Sequence, residues 1–334
     1  MTVDVHSHFF PQLSRGHSKF LDPDDTPWLD LREDGKGMIK CGGRDFRPVY
    51  DACWSADRRI EEMDRHDVDI QIMCATPVLF AYSKPANKTR DWAMLVNDMG
   101  LELCSTHGAR LKCMAQVPLQ DPALACQEVS RARASGHVGV QIGNHVGDRN
   151  MDDPGFIEFL QHCAAEGMPV LVHPWDMLGR ERMPRYMLPW LVAMPAETQL
   201  SILSLILSGG FEKLPRSLKL CFAHGGGSFA FLLGRADNAW RQRDIVREDC
   251  PQPPSSYVDR FYVDSAVFDQ RALKLLVDVM GSERVMFGTD YPFPLGEEDM
   301  ASLVRTAPEF GNDCKARILG LNAQEFFSLD TDHN

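Results

Sequence analysis

Eight short runs rich in Val, Ile and Leu recur along the chain, separated by longer stretches with helical periodicity. They fall at Val3–Val5, Val68–Cys74, Leu111–Val117, Gly139–Ile142, Pro169–Val172, Leu218–Phe222, Phe261–Asp264 and Val285–Phe287. Continuous apolar runs of this length are the mark of parallel strands covered on both faces by crossover helices. Eight of them predict an α/β fold, a closed (β/α)8 barrel. Helices are expected over Asp57–Arg65, Lys88–Thr106, Pro122–Ser135, Gly155–Glu166, Ser228–Arg243 and Gln270–Met280. Gly136, Gly167, Gly209-Gly210 and Gly281 follow helical patterns, as C-terminal caps do. Residues 1–334 read as one barrel domain, because no repeat, low-complexity tract or long linker marks a second unit.

Two segments break the alternation. Residues 9–56 are rich in Pro and Gly and too long for a simple connection, so a small insertion or lid after the first strand is expected; residues 174–195 form a second excursion. In a barrel, such excursions after a strand gather over the mouth where catalysis takes place.

The histidines follow the same logic. His6 and His8 close the first run, and side chains two apart on a strand point the same way. His173 follows the fifth run, His224 the sixth, and Asp290 the eighth. Five such groups at strand ends point to one metal centre at the carboxyl face of the barrel. Imidazole and carboxylate donors suit Zn²⁺, which in catalytic sites keeps a position open for water. His6, His8, His173 and Asp290 are assigned to the metal and His224 to the role of base; the exchange of His224 and Asp290 is the alternative that the sequence leaves open. His17, His66, His107, His137, His145, His162 and His333 read as surface or structural, with His145 nearest the catalytic side.

Composition narrows the partners. With 35 basic against 47 acidic residues, the net charge of -12 offers no footprint for nucleic acid or an anionic membrane. A small-molecule partner is expected. The ten cysteines form no C-x-x-C pair and read as free thiols of a reducing compartment. The N-terminus carries no signal-peptide pattern, which leads to the expectation of a cytoplasmic protein. The most apolar stretch, Leu200–Leu207, is short of a membrane span and reads as a core helix.

The order H-x-H, His, His, Asp after strands one, five, six and eight resembles that of the amidohydrolase superfamily. Its binuclear members add a lysine after the fourth strand; Gly139-Val140-Gln141-Ile142-Gly143-Asn144 has none, which implies one ion per subunit. Further text carries a narrower resemblance: Phe46-Arg47-Pro48-Val49-Tyr50, His173-Pro174-Trp175-Asp176-Met177, Leu188-Pro189-Trp190-Leu191-Val192, His224-Gly225-Gly226-Gly227 and Gly288-Thr289-Asp290-Tyr291-Pro292-Phe293-Pro294. It is similar to the branch that decarboxylates α-amino-β-carboxymuconate-ε-semialdehyde in tryptophan (kynurenine) or 2-nitrobenzoate breakdown. That resemblance implies zinc-dependent, non-oxidative loss of CO₂, with His224 deprotonating the water that adds to the conjugated substrate. It further implies that Arg47 and Arg235 bind the substrate's carboxylates, that Trp190 and Phe293 line the pocket, and that Arg235 reaches the site from the other subunit of a homodimer. Where the family often carries a lysine before Phe46, this chain has Arg44 as the nearest cation. Hydrolysis of a lactone or amide, and decarboxylation of an aromatic hydroxy acid such as a resorcylate, are the other reactions such a barrel could run. A catalytically dead binding module would be expected to have lost ligands, and none of the five is missing.

Overall fold

Residues 1–32 and 34–329 are described by a computed structural model, so His333 lies outside the described residues. In chain order the strands are β1 (Val3–Phe9), β2 (Pro27–Leu31), β3 (Lys36–Cys41), β4 (Arg44–Tyr50), β5 (Ile70–Ala75), β6 (Leu111–Gln116), β7 (Gly139–Gly143), β8 (Val170–His173), β9 (Leu220–Phe222), β10 (Tyr262–Asp264) and β11 (Val285–Met286). All eight expected runs form strands of one parallel sheet in the order β1-β5-β6-β7-β8-β9-β10-β11. The sheet closes through Val5 N to Phe287 O (2.9 Å) and His8 N to Tyr291 O (2.6 Å). Strand β1 runs on to Phe9, so His6 and His8 lie within it rather than after it.

The helices that cover the barrel are α1 (Ala56–Arg65), α2 (Ala86–Cys104), α3 (Pro122–Ser135), α4 (Pro154–Glu166), α5 (Met194–Leu207), α6 (Phe229–Gln242), α7 (Gln270–Met280) and α8 (Asn322–Phe327). Local signals set their ends. Asp121 accepts the backbone N–H groups of Ala123 and Leu124, and Asp153 that of Gly155, each at a helix start that carries proline at its opening; Gly136 and Gly167 end α3 and α4 in the left-handed region at φ 99° and 65°. Inside the barrel, Val3, Val5, Ile72, Cys74, Met114 and Leu171 pack with Phe326 of α8 closing the bottom.

Helix α5 differs from the expectation. A π turn at Pro189–Ala193 runs straight into it, giving one continuous helical stretch, Pro189–Leu207, which is long and apolar enough to cross a membrane by those criteria alone; 39% of its most apolar 18 residues are buried in the fold. Its inner face, Ile202, Leu205 and Ile206, is core, whereas Leu191, Val192 and Leu200 are exposed. Pro189 and Pro195 look like breakers in the sequence, yet Pro189 opens the stretch, where no N–H is required, and Pro195 falls where the π turn hands over to α5.

The insertion is a three-stranded antiparallel sheet, β2-β3-β4. Leu13, Leu29, Ile39 and Val49 bury one face of it against Phe9, Phe10, Met63 and Tyr291, which seats the sheet beside the ends of β1 and β11. Lys40 pairs with Asp45 and Ile39 with Arg47, leaving Phe46 as the extra residue of a bulge. A bulge re-aims the side chains at its position.

Candidate active site

Three strands, β1, β8 and β11, deliver the four expected ligands to one point. His6 Nε2 lies 3.1 Å from His8 Nε2, and His8 Nε2 lies 3.0 Å from Asp290 Oδ1. With Zn–N bonds of about 2.1 Å, two ligands of one ion stand about 3.0–3.4 Å apart, so these spacings fit a shared ion. The candidate donor atoms of His6, His8, His173 and Asp290 all lie within 4.8 Å of one another. His173 Nδ1 faces the carbonyl of Pro174 at 3.0 Å, while its buried Nε2 has no hydrogen-bond partner within the described residues. An acceptor nitrogen left bare in the protein interior is what an absent ion would satisfy. The residues therefore fit a divalent metal. His224 borders the same point: its ring centre is 5.0 Å from those of His6 and His173, the spacing also found within the four, and its Nε2 is 3.7 Å from the other oxygen of Asp290.

Coordination needs neutral imidazoles and an ionised carboxylate. His8, His173 and Asp290 meet that need. For His6 burial acts downward, but its bond to Asp264 and the nearby carboxylates outweigh it and raise the imidazole. Burial holds His8 down at about 4 despite its contact with Asp290. His173 is pushed well below the usual histidine range, by burial first and then by its imidazole neighbours. For Asp290 burial acts in the opposite sense, but its contacts with His224 and His8 outweigh it and leave the carboxyl well below the usual range. His224 and Asp290 both adopt positive φ, 55° and 60°, a strained backbone state often found at functional positions.

Above this cluster opens a cavity of about 400 Å³, walled by Phe46, Arg47, Met177, Met187, Trp190 and Phe293, with His8, His173, His224 and Asp290 at its floor. The guanidinium of Arg47 lies 4.6 Å from the Phe293 ring centre and 5.9 Å from that of Trp190, with the charge of Asp290 near it but no ion pair to it among the described residues. Arg47, Trp190 and Phe293 are thus brought together as expected. Arg235 is not: it is exposed on α6, outside the cavity wall of its own chain. Arg44 is 84% exposed and 4.0 Å from Asp25, on the outer surface of the small sheet rather than in the cavity. His145 faces the carbonyls of Gly147 and Asp176, tying two loops together.

Several buried polar residues escaped the reading of the sequence. Asp4 accepts from Thr289 Oγ1 (2.7 Å), Thr289 N (3.1 Å) and Gln71 Nε2 (2.9 Å), which ties β1 to the segment that carries Asp290. Burial raises this carboxyl to about 6, although those bonds oppose the rise. Arg59, fully buried, donates to Gln71 Oε1 at 2.6 Å and to the backbone oxygen of His8. Asp264, the last residue of β10, accepts from His6 Nδ1 at 2.6 Å. Asp264 could have been found, because it ends a barrel strand as Asp290 follows one; Arg59 lies on a helix, where the sequence offers no such cue.

The family model described as Amidohydrolase matches residues 3–329. A 2-amino-3-carboxymuconate-6-semialdehyde decarboxylase of Dictyostelium discoideum is 40% identical over 332 residues, covering 99% of this chain and 92% of the relative. One of the same description from Caenorhabditis elegans is 32% identical, covering 98% and 94%. Among solved structures, the apo form of Metarhizium anisopliae IDCase superposes with a TM-score of 0.84 at 25% identity, covering 98% of this chain and 97% of the other. The chain belongs to the amidohydrolase family, among its decarboxylating members.

Proposed function

We propose that the chain, one barrel unit with the β2-β3-β4 sheet as its lid, converts 2-amino-3-carboxymuconate 6-semialdehyde to 2-aminomuconate 6-semialdehyde and CO₂, with one zinc ion held by His6, His8, His173 and Asp290. The observation that carries this reading is the juxtaposition of that cluster with Arg47, a cation on the largely apolar wall above it that forms no ion pair among the described residues. Both full-length relatives described above are named for this reaction.

Bound among the four ligands, the ion would act as a Lewis acid, bringing a water's pKa to about 7. The rest falls to the chain. His224, on the far oxygen of Asp290, takes the proton of the attacking water and gives it to the carbon that bears the departing carboxylate; loss of CO₂ then restores the double bond as the added hydroxide leaves, so no water is consumed. Arg47 donates paired hydrogen bonds to a substrate carboxylate, and its planar fork matches that group. Trp190 and Phe293 hold the conjugated chain flat and exclude bulk water. Arg235, exposed on α6 beside the 78%-exposed Phe231, supplies a second cation to the partner's cavity in a homodimer.

The test is to generate the semialdehyde in place, follow its absorbance, and trap CO₂. Zinc-dependent CO₂ release that outruns spontaneous ring closure of the substrate is the expected result. Metal-dependent turnover of an ester, amide or aromatic acid, with the semialdehyde untouched, would overturn the substrate assignment and leave the metal site standing.

A further inference from the structure

The carboxylate of Asp264 is completely buried, and no Lys or Arg pairs with it among the described residues. Burying an unpaired charge is costly, so the neighbours that it engages need explaining. Oδ2 accepts from His6 Nδ1 at 2.6 Å. Oδ1 accepts from the backbone N–H of Gly225 at 2.9 Å and of Ala266 at 3.1 Å. One side chain thus grips a member of the metal cluster with one oxygen and the turn immediately after His224 with the other.

The surroundings leave this carboxylate little freedom. Gly288, on the segment leading to Asp290, lies so close that a β-carbon there would stand 3.0 Å from Asp264 Cβ. Gly225 sits at φ +62°, and a β-carbon on it would come within 2.5 Å of Val267 Cγ1, so the turn gripped by Oδ1 is also fixed. A neutral imidazole has one donor nitrogen and one acceptor nitrogen, and an ionised carboxylate can only accept.

We propose that Asp264 is a positioning residue: it locks His6 in the Nδ1–H tautomer, so that the Nε2 lone pair faces the ion, and it holds the His224 turn in register with that ligand. A carboxylate behind a metal-bound histidine fixes ring orientation and raises ligand basicity. The inference rests on the metal reading above, and it concerns the ligand's tautomer rather than the substrate.

Asp264→Asn tests it. The amide oxygen can keep both backbone bonds, which leaves its NH₂ facing His6 Nδ1. That nitrogen must then accept, and the proton moves to Nε2, where it obstructs coordination. Zinc affinity, measured by competition with a chromophoric chelator, is expected to fall 10–100-fold, the usual effect of losing such a partner. In the metal-free, ¹⁵N-histidine-labelled protein at alkaline pH, one imidazole is expected to switch from Nδ1–H to Nε2–H. Affinity within twofold of the parent, with all tautomers unchanged, would make Asp264 a loop anchor only and overturn the proposal. Should the variant not fold, the unmodified protein decides: His6, assigned by comparison with His6→Gln, is expected as Nδ1–H, and an Nε2–H signal would overturn the proposal. The tautomer readout needs neither zinc nor substrate, so failure of the decarboxylation assay would leave it intact.

Discussion

The two oxygens of Asp290 face different neighbours, His8 Nε2 at 3.0 Å on one side and His224 Nε2 at 3.7 Å on the other. This division suits the proposed split into four ligands and one base. It also defines the consequence of removing His224, which should leave the four donors and their spacing in place. His224→Ala is expected to retain its metal and lose about 10²–10⁴-fold in kcat, the range for a missing general base. Metal analysis beside turnover checks this: stoichiometric loss of the ion would move His224 into the ligand set and make Asp290 the candidate base.

At the scale of elements, Phe46 and Arg47 both line the cavity although they are consecutive on a strand, where alternation would send them to opposite faces. The bulge at Phe46 resolves the conflict, and Ile39, fully buried opposite Arg47, pins the register. Ile39→Ala is therefore expected to cost about 2–5 kcal/mol of stability and to raise KM more than it lowers kcat, because it loosens the strand that presents Arg47, the cation proposed to bind the substrate's carboxylate. An unchanged KM in the folded variant would show that Arg47 is held by its aromatic neighbours alone. The barrel strands were legible in the sequence because burial on both faces leaves continuous apolar runs, and the ligands because they cluster at the ends of those runs. The small sheet was not, since five- to seven-residue strands with one exposed face are hard to tell from irregular loop. The extension of α5 through Pro189 and Pro195 was hidden by two residues that usually end helices. The bonds of Asp4, Arg59 and Asp264 join residues as far as 285 positions apart, a proximity that only the closed barrel creates.

At the scale of the whole molecule, the cavity of one chain is lined by a single arginine among the described residues, whereas the proposed substrate carries two carboxylates. Helix α6 presents Arg235 beside exposed Phe231, and the continuation of α5 presents Leu191 and Val192 at 59% and 55% exposure. Apolar surface of this kind fits coverage by a second copy, which would carry Arg235 with it. Mixing Arg235→Ala with His224→Ala subunits is expected to restore activity, since each mixed dimer then holds one site with an intact base and an intact partner arginine. No recovery in verified mixed dimers would contradict the shared site. The measurement that bears most directly on the whole account is CO₂ release from the semialdehyde as metal-depleted protein is titrated with zinc. Activity that rises linearly and saturates at one ion per chain is what four ligands and one base require; saturation at two ions, or full activity without metal, would contradict it.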